Sequence, residues 1–531
     1  MRRFLFIIPN AYNSRENKQE RRKCIPYGVL SIVTYVEHHC ANVQCDVLDL
    51  NLFDGWPLQR QVLMERLRTI RYDLVGISSM FSIVKEESRR LVREIYAAHA
   101  VSFIVLGGIC PSNNPELFFD GLPELDAICC GEGEIPFREL AEAEDMETVF
   151  HTHPAWLTAE DMAGGKSGRA VYVTDLDDIP PIRYDKVPVK EYGSRIQDDH
   201  GGYRLALPIH TTRGCPYRCV FCCAGANHGR SVRAMSAQRV VDDIAAMKAQ
   251  YGIDMISIDD DQFLFLNERA KQILTELIPL GLELEFASGL NVCHIDEEIA
   301  GLLKRAGANT VVIAIESGSQ RVLNEVIHKP LKLNEVAQVA EWLHHNDIQV
   351  DAFMMVGLPE ETEDDLELTR HFMRTAPVDW YIINVAQPYQ GSKLYDQCLA
   401  NGWLRQSREN GMLSWYIETE QGFADRMQKL RYQLKIEMNY LNNYNLRSGN
   451  YKKALSIFRK TADGHPNHAI SQYCAAKACA GLGDLTTARY YFERYRTALQ
   501  NKTVWKEYVQ TYSLPTQIEV FLQEEQHGKL S

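Results

Sequence analysis

The stretch "TTRGCPYRCVFCC", Thr211 to Cys223, decides how this chain is read. It places Cys215, Cys219 and Cys222 at spacings of four and then three residues, with Gly214 and Pro216 at its start. Gly and Pro oppose a continuous helix, so the three sulfurs come to one side of a tight loop. Three thiolates suit a metal centre, and two readings stay open at this point. A structural zinc site wants four ligands, for which Cys223 or His228 would have to complete the set. An iron–sulfur cubane held by three cysteines leaves one iron able to bind a substrate or cosubstrate. The spacing favours the second reading, because Cys223 adjoins Cys222 and no C-x-x-C knuckle pairs with another.

The surroundings of this loop set its context. At 531 residues the chain exceeds what one hydrophobic core supports. A net charge of −13 argues against a general attraction to nucleic acid or anionic membrane, leaving small molecules as the default partner. No apolar run reaches the ~18 residues of a membrane span. "MRRFLFIIPN" stops at Pro9 and reads as a buried strand rather than a leader, so a cytoplasmic location with its 14 cysteines reduced is expected.

Upstream, "FLFIIP", "CDVLDL", "DLVGIS", "SFIVLGG" and "LDAICCG" alternate with helix-period segments, which predicts an α/β, doubly wound domain over 1–145. Its strand ends carry "SSM", "GGICPS" and "GEGE", where small residues admit a ligand or serve tight turns. A Pro- and Asp-dense stretch, "TDLDDIPPIRYDKVP", falls in a linker assigned to 146–200. "RLALPIHTT", "MISID", "LEFAS", "TVVIAI", "VDAFMMVG" and "WYIINVA" then predict a partial (β/α)6 TIM barrel over 201–400. The cysteine loop follows the first of these strands, on the face where barrels place their chemistry. The region 401–531 reads as helical; "SGNYKKALSIF" and "LGDLTTARYYF" align Gly449 with Gly483, Ala454 with Ala488 and Phe458 with Phe492 at a period of 34 residues. That period is tetratricopeptide-like and places two repeats at about 445–500.

"TTRGCPYRCVFC" resembles the C-x-x-x-C-x-x-C signature of the radical S-adenosylmethionine (SAM) superfamily, in the style of its subfamily with an N-terminal cobalamin-binding domain. The resemblance covers about residues 1–400 and runs through "YGVLSIVTYVE", "YDLVGISSM", "VLGGICP", "DAICCGEGEIPF", "DLDDIPP", "IDDDQFLF", "AIESGSQRVLNEVIHK", "MVGLPEETEDDL" and "PYQGSKLYD". It implies a [4Fe–4S] cluster on Cys215, Cys219 and Cys222 whose open iron chelates SAM. Reductive cleavage of SAM would yield a 5′-deoxyadenosyl radical, the cofactors supplying the hard chemistry. The same resemblance assigns Phe221, Asp260, Glu316 and Gly357 to SAM, and Ser79, Gly107, Gly108, Gly131, Glu132 and Gly133 to cobalamin. No catalytic residue is assigned beyond the cluster. Two departures stand out. The loop "NAYNSRENKQERRKCIP" lacks the D-x-H-x-x-G histidine, so no imidazole is offered below the cobalt. "PYQGS" at 388–392 replaces the usual P-Y-P-G-T. Asp259 and Asp261 beside Asp260 read as a solvated loop around one working carboxylate rather than a divalent-metal site.

The resemblance implies methyl transfer to an unactivated carbon, or to a phosphinate phosphorus, of a biosynthetic intermediate. Radical cyclisation, oxidation or rearrangement on the same cofactors is the alternative. Methylthiolation is disfavoured because Cys110, Cys129 and Cys130 make no convincing auxiliary-cluster set. A reading of another class is a zinc-bound interaction protein whose helical repeats do the binding. Expected partners are a small-molecule or carrier-bound substrate, an electron donor such as flavodoxin or ferredoxin, and a protein partner at the repeats; nucleic acid and a membrane span are not expected.

Overall fold

Phe4 and Phe6 face one side of the first strand, Leu5 and Ile7 the other, and all four are buried. A strand with both faces covered needs helices above and below. The computed structural model, which describes residues 1–10, 24–80, 82–192, 196–197, 203–409, 412–501 and 504–527, supplies them. Strands β1 (Arg2–Ile8), β2 (Val43–Asp49), β3 (Tyr72–Ser78), β4 (Val101–Gly107) and β5 (Ala127–Cys129) pair in parallel, in the order β2-β1-β3-β4-β5. Helix α1 (Tyr27–His39) covers the Phe4 face with Val29 and Val33. Helices α2 (Trp56–Thr69) and α3 (Lys85–Ala97) cover the Leu5 face with Leu63, Leu67, Leu91 and Ile95. A short α4 (Ile109–Asn113) follows β4. One antiparallel strand, β6 (Trp156–Leu157), extends the sheet beyond β5. Two residues carry no periodic signal, so sequence patterning does not find it.

In this strand order the direction of winding reverses between β1 and β3, and ligands of such sheets sit beyond the carboxyl ends there. Ser79 directly follows β3 at that edge. The histidine-free loop after β1 lies, over residues 11–23, outside the described residues.

The chain divides into two units, one of residues 1–311, 327–330 and 386–421, the other of 312–326, 331–385 and 422–531. The first holds the doubly wound sheet and a parallel three-stranded sheet of Ala206–Ile209, Met255–Ile258 and Glu283–Glu285. The second holds a three-stranded sheet ordered Thr310–Glu316, Gln349–Val356, Trp380–Val385. All six expected barrel strands are therefore present, as two sheets of three. Glu283–Glu285 is short, and among the described residues one isolated bridge, Leu284 to Ala308, follows it. A hairpin, Leu404–Glu409 with Met412–Ile417, was not anticipated and packs near Ser82–Val84. Among the described residues no helix is long and apolar enough to cross a membrane.

In the second unit Trp380–Val385 is an edge strand, and an edge carries unpaired N–H and C=O groups. Asn439, fully buried in the π-helical turn Glu437–Leu441, fills that gap: its Oδ1 accepts from the Tyr381 N–H and its Nδ2 donates to the Tyr381 carbonyl, both at 2.8 Å. Nearby, Asn443 Nδ2 donates to the Asp379 carbonyl at 2.8 Å, while the buried Asp379 carboxylate faces His344 and Lys453. Burial alone would raise that carboxyl, but the His344 hydrogen bond and charge, with Lys453, hold it below its ordinary range. Buried Glu437 likewise accepts from Arg370 and Arg374. The aligned repeat positions play matching parts: Gly449 and Gly483 both adopt positive φ before a helix, and Ala454, Ala488, Phe458 and Phe492 are all fully buried.

The edge pairing makes a direct prediction. Asn439→Leu strands two buried backbone groups and is expected to destabilise this unit by about 2–6 kcal/mol, since each buried group left unpaired costs about 1–3 kcal/mol. In urea unfolding the midpoint should fall at unchanged m-value. An unmoved midpoint would mean that the strand edge does not depend on Asn439.

Candidate functional site

The cysteine loop leaves the strand Ala206–Ile209 and is fastened at its first residues. Asp260, 4% exposed and just past the neighbouring strand Met255–Ile258, accepts from the Thr211 N–H and from Thr211 Oγ1, both at 2.5 Å. Burial pushes its carboxyl up to about 6, against the opposing hydrogen bonds from Thr211 and the charge of Arg269. Asp261 accepts from the Gly214 N–H at 2.8 Å. Gly214 has φ +93, and a Cβ there would stand 2.2 Å from the Ser231 carbonyl oxygen, so only glycine fits. Asp259 takes the Ser257 hydroxyl at 2.5 Å. The three consecutive aspartates thus have three different tasks, and none of the contacts gathers them around a cation.

Further along, Val220 is clamped on both sides of its peptide. Its N–H donates to the Ile327 carbonyl at 3.0 Å, and its carbonyl accepts from the Leu394 N–H at 2.8 Å. Cys219 and Cys222 flank this residue, so the clamp fixes where their side chains start. Gln262 Nε2 donates to Cys215 Sγ at 3.2 Å, and Asn291 Nδ2 holds the other end of that amide at 2.8 Å. The Ala224 N–H points at Cys222 Sγ, 3.4 Å away. Burial pushes the Cys215 and Cys222 thiols up, while these N–H groups, with the positive charge of Lys329 near Cys222, favour the thiolate. N–H donors on sulfur are what a ligating thiolate needs, so the residues present fit an iron–sulfur cluster.

A closed zinc site fits less well. His228 Nδ1 lies 2.9 Å from a Glu132 oxygen, and the Cys223 thiol donates to the Gln390 carbonyl at 3.4 Å, so both candidates for a fourth ligand are engaged elsewhere. Among the described residues no three His, Cys, Asp or Glu side chains gather as they would around a single ion. A cubane asks for less, because each thiolate takes a different iron.

The loop after β5 meets the cysteine loop through a buried ion network. Arg213 Nη1 donates to Glu132 at 3.1 Å and to Glu134 at 2.8 Å, and its Nη2 donates to Ser31 Oγ at 2.9 Å. Ser31 in turn donates to Glu134 at 2.6 Å. Arg233 reaches both Glu132 oxygens, at 3.0 and 2.6 Å. Arg213 is 7% exposed and Glu132 6%. Burial by itself would raise the Glu132 carboxyl, but the His228 hydrogen bond, Arg213 and Arg233 outweigh it and bring it to about 2. Next to this network, burial with the charges of Arg213 and His228 lowers His210 to about 3, so its ring stays neutral.

The residues assigned to cobalamin fall into two groups. Ser79, Gly107 and Gly108 come together: the Ser79 N–H donates to the Gly107 carbonyl at 2.8 Å, and a Cβ on Gly108, at φ +101, would stand 2.7 Å from the Ser79 carbonyl oxygen. Ser112 Oγ ties in the next loop, donating to Gly108 O at 2.7 Å and accepting from the Gly131 N–H at 3.1 Å. Gly133 packs on Ile32, and Glu132 belongs to the ion network described above. Asn114, at the end of α4 and 3% exposed, has an Nδ2 without a partner among the described residues. A buried donor awaiting an acceptor, beside a laced set of small-residue strand ends, fits a ligand rich in carboxamides such as cobalamin.

Of the residues assigned to SAM, Phe221 is half-buried within the cysteine loop. Glu316 and Gly357 lie in the second unit, each at the carboxyl end of its strand. Glu316 holds φ +77, an uncommon conformation for a non-glycine residue, and the Gly357 N–H donates to Glu361 at 2.7 Å. Sequence reading missed Gln262, Asn291, Arg213, Glu134, Ser31 and Arg233. Gln262, Arg213, Glu134 and Ser31 sit inside quoted motifs, which was the available signal.

Residues 209–373 match the radical SAM superfamily and residues 21–141 match the B12 binding domain. An uncharacterized methyltransferase of Pyrococcus horikoshii is 28% identical over 67% of this chain and 76% of its own. The cytidylyl-2-hydroxyethylphosphonate methyltransferase of Streptomyces wedmorensis is 26% identical over 62% and 67%. An anaerobic magnesium-protoporphyrin IX monomethyl ester cyclase of Cereibacter sphaeroides is 25% identical over 64% and 54%. Two solved structures share the fold: the cobalamin-dependent SAM radical enzyme OxsB with aqua-cobalamin and SAM bound (TM-score 0.67, 15% identity, 99% of this chain and 83% of that one), and the radical SAM methyltransferase TsrM of Kitasatospora setae with cobalamin and a [4Fe–4S] cluster bound (TM-score 0.59, 16% identity, 94% and 99%). With both domains matched in order along one chain, this protein belongs to the radical SAM enzymes that carry an N-terminal B12-binding domain.

Proposed function

We propose that the protein is a cobalamin-dependent radical SAM methyltransferase that acts on an unactivated carbon, or a phosphinate phosphorus, of a small biosynthetic intermediate. The observation that carries this reading is the N–H-supported cysteine loop, locked through Arg213 to the strand-end loop of the B12-binding domain. Cys215, Cys219 and Cys222 would hold the cluster, and Ser79, Gly107, Gly108 and Gly131 the cobalamin. When bound, the cluster supplies the electron that cleaves SAM, and cobalamin supplies a methyl carrier.

The chain's own residues perform the positioning. Asp260 and Asp261 fix the start of the loop, and Gln262, oriented by Asn291, sets the environment of Cys215. The strained backbone of Glu316 and the glycine at 357, each ending a strand, support roles toward SAM. Arg213, Glu132 and Glu134 hold the two domains' loops in one arrangement, which radical chemistry needs because reacting groups must stay aligned to about an ångström.

A second reading has its own support in the resemblance to the anaerobic ring cyclase. Product analysis separates the two. Incubation of the reconstituted enzyme with methyl-labelled SAM, reductant and a metabolite extract is expected to give S-adenosylhomocysteine together with 5′-deoxyadenosine, and label in a metabolite. 5′-Deoxyadenosine alone, with no transferred label, would favour cyclisation or rearrangement.

The ion network predicts a pH dependence. Glu132 has a folded value of about 2, below its ordinary 4.5, so its contribution is fully present above pH ~4.5 and is lost as pH falls toward 2. That contribution is about 3 kcal/mol at neutral pH. Glu132→Gln should therefore lower stability at pH 7, and the deficit relative to wild type should shrink between pH ~4.5 and 2. A deficit that does not change with pH would contradict this assignment.

A further inference from the structure

Gln390 stands in the loop where the resembling enzymes carry a second proline, and it is 7% exposed. Its surroundings belong to two other segments, α4 and the cysteine loop. Its side-chain Oε1 accepts from Cys110 Sγ, in α4, at 3.6 Å; its own carbonyl accepts from Cys223 Sγ, next to the cluster residue Cys222, at 3.4 Å. The following Gly391 presses on α4 so closely that a Cβ would stand 2.6 Å from Asn113. Gln390 is thus buried with its side chain on α4 and its backbone carbonyl on the cysteine loop.

Its Nε2 has no partner among the described residues. Turning the amide over exchanges donor and acceptor without giving the other end a partner. A buried polar group that is left unmet calls for a reason, and packing offers none here, since a proline would fill the position without an orphan donor. A second side-chain amide donor unmet among the described residues, Asn114 Nδ2, belongs to a residue whose backbone N–H donates to the Cys110 carbonyl at 3.1 Å, while the Cys110 thiol donates to Gln390. Two residues with unmet buried amide donors are therefore both bonded to Cys110, in the short helix that follows β4.

We propose that Gln390 is a cobalamin-binding residue whose amide, held on Cys110, donates to a peripheral carboxamide oxygen of the corrin. Asn114 supplies a companion donor from the first domain. The proposal rests on the reading that this domain binds cobalamin. It assigns to a loop of the radical SAM half a direct share in holding the corrin, through a residue that the usual proline cannot replace.

Titration of the full-length, cluster-reconstituted protein with hydroxocobalamin, followed by corrin absorption, tests it. Wild type should bind, and Gln390→Leu and Gln390→Glu should each weaken binding by about tenfold, the loss of one hydrogen bond. The Glu variant keeps the size of the side chain, so it separates the missing donor from a packing defect. In the cobalamin-free protein the Leu variant should melt at or above the wild-type temperature, since an unmet polar group has been removed, with iron content and SAM affinity unchanged. Cobalamin affinities within twofold of wild type in both variants would overturn the proposal. So would a selective loss of SAM affinity, which would assign the amide to SAM. Failure of wild type itself to bind cobalamin would remove the underlying reading, a result distinct from either.

Discussion

A single buried guanidinium constrains much of the first unit. Arg213 is two residues ahead of Cys215, yet it is held by Glu132 and Glu134 from the loop after β5 and by Ser31 from α1. A buried charge without partners would be costly, so this arginine can be accommodated only when those elements come together. Removing either side leaves an uncompensated charge in the interior. The network therefore joins the cysteine loop to the segment after β5, and it does so where Asp260, Asp261 and Gly214 already fix the backbone.

The second unit solves a different problem. Its sheet ends at Trp380–Val385, and an open edge is a hazard in any chain. Asn439 mimics a neighbouring strand at one residue, and buried Asp379 and Glu437 gather cations around it. These polar contacts act beside an apolar one, the Trp380 ring against Tyr440, where the helices attach to that strand. The polar contacts are directional, so they specify one docking arrangement more sharply than greasy contact would.

Local signals were legible in the sequence and distant pairings were not. The runs around Phe4, Val75 and Val105 announce strands because burial on both faces forces them to be apolar over their whole length. The cysteine spacing is likewise contained within eight residues. Glu132 was assigned to cobalamin because it lies in "GEGE" at a strand end, but its partners Arg213 and Arg233 are 81 and 101 positions away. Asp260, which the resemblance assigns to SAM, accepts at both oxygens from Thr211, 49 positions earlier. Asn439 belongs to an ordinary helical pattern and shows its purpose only beside Tyr381. In each case a short polar side chain looks the same whether it awaits a ligand or a residue far along the chain, and only the fold distinguishes the two.

The central claim is that three sulfurs of one loop carry a cubane with one open iron. Mössbauer spectroscopy of the ⁵⁷Fe-reconstituted protein, prepared without oxygen, tests this most directly. The account predicts a [4Fe–4S]²⁺ spectrum in which one iron site separates from the others when SAM is added. Absence of a cubane, or a cluster spectrum indifferent to SAM, would contradict it.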